Sequence, residues 1–119
     1  MFFLQIQKPD LLFKSFLLIE ARAVNQGEMG FVGEVTRINP QIIETVIENG
    51  YIPVIAPIGR GDDHQSFNIN ADLAASAIAV AIKADKLVLL TDVPGLLRDP
   101  DDSESLISVL KVSEVEDYV

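Results

Sequence analysis

Two short apolar runs with an alanine-rich stretch between them constrain the fold of this chain more than any other feature. Tyr51–Ile58 and Lys86–Thr91 are apolar at nearly every position, as strands are when helices cover both faces of a parallel sheet. The stretch between them, Ala71–Lys83, contains six alanines and is apolar on all sides, which is typical of a buried helix. We therefore predict two parallel, adjacent strands packed beside this helix.

The segments before and between these runs extend the alternation of strands and helices. Leu17–Val24 and Phe31–Ile38 have the patterns of strands, with Gly33 as a bulge or a point of close approach. Asn39-Pro40 opens a helix that Asn49-Gly50 ends, and residues 66–70 form a short extended segment. This order predicts an α/β fold with an open, mostly parallel sheet and helices on both faces.

The composition excludes several classes of protein. Hydrophobic residues make up 49% of the 119 residues, so a disordered chain is excluded. The absence of cysteine excludes a disulfide scaffold and a thiolate metal site. The net charge is -9, and residues 61–119 carry -8 of it, so there is no basic surface for nucleic acid. We interpret this acidic excess as a solvated face, since Asp99–Glu104 lacks the glycine and spacing of an EF-hand calcium loop.

The first residues of the chain are rich in phenylalanine and leucine but do not form a signal or membrane segment. Lys8, Pro9, Asp10 and Lys14 interrupt the apolar run, and no basic stretch precedes it. We therefore expect a cytoplasmic protein without a membrane partner. We treat residues 1–16 as a separate apolar segment that needs a partner surface, and residues 17–119 as one partial domain.

Polar side chains lie where the predicted strands end, which is where open α/β sheets bind ligands. Asn68 and Asn70 share one side of an extended segment, and Asp72 follows in the first turn of the alanine-rich helix. A ligand site and plain helix capping, with Asn70 as the N-cap, explain this triplet equally well.

Two further segments follow predicted strands. Thr91-Asp92 turns through Pro94-Gly95 and places a hydroxyl and a carboxylate at the rim of the sheet. Ile58-Gly-Arg-Gly61 could admit a ligand to its backbone, although an ordinary loop explains it better. Neither segment is diagnostic by itself.

Four motifs follow one another along the chain: Gly30-Phe-Val-Gly-Glu-Val35, Ala56-Pro-Ile-Gly59, Asn68-Ile-Asn-Ala-Asp72 and Leu89-Leu-Thr-Asp-Val-Pro-Gly95. Together they resemble the amino acid kinase family, from about Leu18 to Val119. The last motif is shared across that family, whereas the first and third together are typical of the members that phosphorylate N-acetyl-L-glutamate.

The resemblance implies transfer of a phosphoryl group from ATP, with its Mg²⁺, to the side-chain carboxylate of N-acetyl-L-glutamate, a step of arginine biosynthesis. It implies that Asn68, with Asn70, binds the acetylglutamate, and that Asp72 is the catalytic acid that orients lysines. It implies a homo-oligomer as a possible state. We expect no metal site in the protein itself, because the chain has no cysteine and one histidine. The residues that the resemblance places beside the nucleotide are Thr91, Asp92, Val93, Gly95 and Leu96.

The chain also departs from the family pattern. The glycine-rich loop, the Gly-Gly pair and the catalytic lysines have no match in it, because Lys8 and Lys14 lack the glycine context. We therefore expect a truncated kinase that is inactive alone. Two alternatives stay open: another amino acid kinase, acting on glutamate or uridylate, and a non-catalytic interaction module.

Overall fold

The computed structural model describes residues 17–62 and 64–118, which divide into two compact units, with the boundary in the chain between Leu87 and Val88. Both kinds of secondary structure that the sequence predicted are present, so the chain is an α/β protein. In chain order the elements are β1 (Ile19–Ala23), a 3₁₀ helix (Val24–Gly27), β2 (Val32–Ile38), α1 (Pro40–Glu48), β3 (Ile58–Arg60), β4 (Ser66–Ile69), α2 (Ala71–Ala81) and a second 3₁₀ helix (Val112–Tyr118).

The four strands form a closed sheet in the order β1-β2-β4-β3, so the prediction of an open, mostly parallel sheet is not confirmed. β1 pairs with β2 and β3 with β4 in the antiparallel sense, whereas β1–β3 and β2–β4 are parallel. The reason is the length of the connections. Residues 24–31 and 61–65 are too few for the crossover that a parallel pair of consecutive strands needs.

The two predicted strands at Tyr51–Ile58 and Lys86–Thr91 are also not observed as such. Only Ile58, the last residue of the first run, belongs to a strand, and the second run contains none. Val54 is 96% exposed and Leu90 is 95% exposed. An apolar run shows that a segment can be covered, but a strand forms only where another backbone pairs with it.

The core of the first unit lies inside the closed sheet and under α2. It consists of Ile19 and Ala21 from β1, Phe67 and Ile69 from β4, and Ala74 from α2. The inward residues alternate along each strand, as the two-residue period of a strand requires.

Two glycines allow the strands to approach closely. A Cβ atom at Gly33 would lie 2.5 Å from the Cβ of Phe67, and one at Gly59 would lie 2.5 Å from the Cβ of Ala21. Gly33 is therefore a point of close approach, while the irregular pairing between β1 and β2 lies elsewhere, next to Thr36. Larger side chains at these two positions would push the sheet apart.

The helix α2 is half-buried, although its composition predicted burial on all sides. Ala74 is buried, whereas Leu73 is 63% and Val80 79% exposed. The helix packs against the sheet on one side only, and an open groove of about 340 Å³ runs along it beside Pro53 and Ile55. Within the described residues, no helix has the length and apolar character to cross a membrane.

Candidate functional site

Asn68 lies on the outer face of β4. Its neighbours Phe67 and Ile69 are buried, so the alternation of side chains along the strand directs Asn68 outward, where it is exposed. The backbone is held on both sides, since the Asn68 N–H donates to the Phe31 carbonyl at 2.8 Å and Asn68 pairs with Ile58 of β3. The side-chain amide is thus presented from a fixed backbone position.

Asn70 caps the N-terminus of α2. Its Oδ1 accepts hydrogen bonds from the backbone N–H groups of Asp72 and Leu73, at 3.0 and 3.1 Å. This is the preferred role of asparagine at a helix start, where the first N–H groups lack helical partners. The capping interpretation of Asn70 is therefore confirmed, and its predicted contact with a substrate stays a prediction.

Asp72 is the second residue of α2, and its side chain is exposed. A carboxylate in the first turn is stabilised by the positive end of the helix dipole. The sequence predicted that Asn68, Asn70 and Asp72 converge, and the structure brings all three to the junction between β4 and α2. An amide and a carboxylate at one junction can bind a polar organic acid and hold cationic side chains.

The predicted nucleotide segment, residues 91–96, is an exposed turn in the second unit. The hydroxyl of Thr91 donates to the carbonyl of Val93 at 3.0 Å, which closes the start of the turn. Gly95 has φ +140°, a conformation that favours glycine, and a Cβ there would lie 3.1 Å from Leu106. The Leu96 carbonyl accepts the N–H of Ile107 at 2.8 Å.

The acidic loop at residues 99–105 is held together by its own polar groups. The carboxylate of Asp99 accepts the N–H of Asp101, and that of Asp102 accepts the N–H of Glu104, both at 3.0 Å. The Ser105 hydroxyl lies 3.0 Å from the Asp99 carbonyl and 2.6 Å from the Asp102 carbonyl. The structure holds no group of three or more metal-ligating side chains among residues 17–62 and 64–118.

Residues 58–61 do not form an open ligand loop. Ile58–Arg60 is strand β3, and the space above Gly59 is filled by Ala21 and Ile19. This glycine therefore serves the packing of the sheet, and the prediction of an ordinary loop is wrong for Ile58–Arg60, because β4 supplies a backbone that pairs with them.

Sequence reasoning missed the surroundings of Asn68 and a second groove in the first unit. An open groove of about 380 Å³ is lined by Arg60 and Ser66 together with apolar residues of β1 and of the segment before β3. The placement of Phe31 and Ile58 beside Asn68 comes from strand pairing between distant segments. The signal in the sequence was Arg60, a cation between two glycines, to which we assigned no role.

Comparisons with known proteins show which proteins this chain resembles in sequence. The chain is similar to the acetylglutamate kinase of Syntrophomonas wolfei subsp. wolfei, with 72% identity over 107 residues, which are 89% of this chain and 37% of that protein. It is 61% identical over 92 residues to the acetylglutamate kinase of Moorella thermoacetica, covering 77% and 31% of the two chains. This chain thus spans about a third of the length of these relatives.

A solved structure and a family model agree with this likeness. The crystal structure of smu.665 from Streptococcus mutans UA159 superimposes with a TM-score of 0.64 and 44% identity, covering 67% of this chain and 33% of that one. The model of the amino acid kinase family matches residues 4–119. The match begins within the segment 1–16, and the boundary that we drew after residue 16 stays a prediction. Because the family match covers nearly the whole sequence, the chain belongs to the amino acid kinase family.

Proposed function

We propose that this chain carries part of an enzyme that transfers the γ-phosphoryl group of ATP to the side-chain carboxylate of N-acetyl-L-glutamate. The observation that carries the proposal is the β4–α2 junction. There the side chain of Asn68 is exposed on a strand whose backbone is paired on both sides, and Asp72 follows in the first turn of α2. Two relatives, which are 72% and 61% identical to this chain over 107 and 92 aligned residues, bear the name acetylglutamate kinase.

The chemistry of the junction fits this substrate. An asparagine amide can donate to a carboxylate and accept from an acetamide N–H, and N-acetyl-L-glutamate contains both groups. Phosphoryl transfer depends on positioning and on cations that neutralise the charge developing on the phosphoryl oxygens. A carboxylate such as Asp72 does not supply that charge, but it can hold lysines in the required orientation.

We assign the nucleotide to the exposed turn at residues 91–96. Its internal hydrogen bond from Thr91 to Val93 and the glycine conformation at Gly95 give the turn a defined backbone. Such a turn fits the family's nucleotide segment, because residues 91–96 are exposed and a loop of defined shape can present its backbone groups to a ligand. Mg²⁺ would arrive bound to the phosphates of ATP, as in other phosphoryl transfers.

The function is tested in a chimera in which this chain replaces the matched segment of the Syntrophomonas wolfei relative. ADP release is measured with N-acetyl-L-glutamate, L-glutamate and uridylate as acceptors. We expect activity with N-acetyl-L-glutamate. Activity restricted to either other acceptor would favour another amino acid kinase, and a chimera that is folded but inactive would contradict the proposal.

The substrate residue is tested by Asn68→Ala in the same chimera. A polar group of the bound substrate that is left without its partner costs about 1–3 kcal/mol, so the KM for N-acetyl-L-glutamate should rise by about tenfold while the KM for ATP changes much less. Asn49→Ala is the matched control, because Asn49 is an exposed asparagine at the end of α1. Equal effects on both substrates would show that the role of Asn68 is wrongly assigned.

A further inference from the structure

We propose that Asn70 is a positioning residue that holds Asp72 in place, and that it does not bind the substrate directly. This inference rests on the proposed function, because it concerns the same reaction. The side-chain oxygen of Asn70 accepts the backbone N–H of Asp72 itself, at 3.0 Å. The residue whose carboxylate has the proposed task is therefore bonded to Asn70 through its own backbone.

The start of α2 is fixed at a second point by the core. Ala74 is 3% exposed, and its N–H donates to the backbone carbonyl of Asn70 at 2.9 Å. Asp72 lies between these two anchors, the cap at Asn70 and the buried residue at Ala74. Its carboxylate is exposed, and the two anchors fix the backbone position from which the side chain extends.

The two α-helices of the described chain differ in how they begin. α1 starts at Pro40 without a side-chain cap bond, and its first turn carries no acidic residue. α2 has a double cap from Asn70 and an acid at its second position. The cap is thus present at the helix start that carries the proposed functional acid and absent from the one that does not.

The oxygen of Asn70 is already engaged by two N–H groups, and this separates the two possible roles. A cap needs only a short side chain with an acceptor oxygen, which serine also provides. Because the Asn70 oxygen is engaged, direct recognition of a substrate acceptor would fall to its amide NH₂ group, which glutamine keeps, whereas serine offers only one hydroxyl donor on a shorter side chain. Glutamine is longer by one methylene and is not among the preferred N-cap residues.

The test compares Asn70→Ser, Asn70→Gln and Asn70→Ala in the chimera, well below its melting temperature. We expect Asn70→Ser to keep kcat within about threefold of the parent, and Asn70→Gln and Asn70→Ala to lower kcat by about tenfold, which is the effect of losing one positioning interaction. The KM for N-acetyl-L-glutamate should change by less than about threefold in all three, because positioning acts on the reaction step.

The same variants of this chain itself report the cap separately through the melting temperature measured by circular dichroism. Asn70→Ser should match the parent, whereas the other two variants should melt about 4 °C lower.

The reverse kinetic order, with Asn70→Gln active and Asn70→Ser impaired through a raised KM, would overturn the proposal in favour of direct binding. A lowered melting temperature with unchanged kcat would contradict the positioning role and would show that Asn70 only stabilises the helix start. An inactive parent chimera would contradict the proposed function, and the positioning role with it.

Discussion

The two units of the chain are held together in different ways. In the first unit, residues distant in sequence are buried in one cluster inside the closed sheet, such as Ile19 of β1 and Phe67 of β4. In the second unit no described residue is buried, and hydrogen bonds within a short stretch hold the loop at residues 99–105. Stability thus comes from apolar burial in the first unit and from local polar contacts in the second.

This difference bears on the candidate site. The junction that carries Asn68 and Asp72 is continuous with the buried residues Phe67, Ile69 and Ala74, so the core positions it. The turn at residues 91–96 is positioned by its own hydrogen bonds and by the pairing of Leu97 with Leu106. We therefore expect substitutions in the core to affect the substrate junction and leave the turn unchanged.

The largest expected effect is that of Phe67→Ala. Truncation of a buried phenylalanine removes apolar contacts and leaves a cavity, which costs about 3–5 kcal/mol of unfolding free energy. Phe67 is 7% exposed, whereas Phe31, the matched control, is 64% exposed and should change stability by less than about 0.5 kcal/mol when replaced by alanine. Urea unfolding followed by circular dichroism measures both. Equal losses would show that Phe67 is not in the core.

A smaller loss is expected for Gly59→Ala. The new Cβ would lie 2.5 Å from that of Ala21, and such overpacking costs about 1–3 kcal/mol. The double variant Gly59→Ala with Ala21→Gly removes the clash and should recover part of the loss. Additive losses in the double variant, measured by urea unfolding, would contradict the close approach of β1 and β3.

The second unit is tested by Ser105→Ala. The Ser105 hydroxyl bonds to the backbone at both Asp99 and Asp102, so its removal should cost about 1 kcal/mol and confine the change to the loop. Hydrogen exchange at the Arg98 and Ile107 amides should quicken by about fivefold, the equivalent of that free energy, while amides of the first unit are unchanged.

The matched control for this loop is Ser103→Ala, since Ser103 is exposed in the same loop. It should leave exchange unchanged. Faster exchange in β1 and β2 after Ser105→Ala would show that the two units do not behave separately.

The smallest effect is expected for the ion pair between Arg22 and Glu34 on the outer side of β1 and β2. Its atoms lie 2.5 Å apart, but the side chains are 72% and 48% exposed, so the pair contributes less than about 1 kcal/mol. Arg22→Ala with Glu34→Ala in a double-mutant cycle gives the coupling energy, which should shrink in 1 M salt. A coupling energy above 2 kcal/mol would show that this ion pair stabilises the first unit on the same scale as apolar burial in the core.

Local elements were predictable from the sequence because their signals are local. The strand at Leu17–Val24 appears as Ile19–Ala23, and the helix after Asn39 appears as Pro40–Glu48. The start of α2 at Ala71 follows from the capping chemistry of Asn70. The closed sheet was not predictable from the periodicity of its strands, because pairing joins segments as far apart as β1 and β3.

The candidate site divides in the same way. The residue types at positions 68, 70 and 72 and their placement at a helix start were determined by the sequence alone, since strand alternation and helix capping act over a few residues. The tertiary structure decided that Asn68 lies between the backbones of Phe31 and Ile58, and that only the last residue of the apolar run at Tyr51–Ile58 belongs to a strand. Burial and strand pairing depend on which distant segment supplies the partner, and no local pattern of residues contains that information.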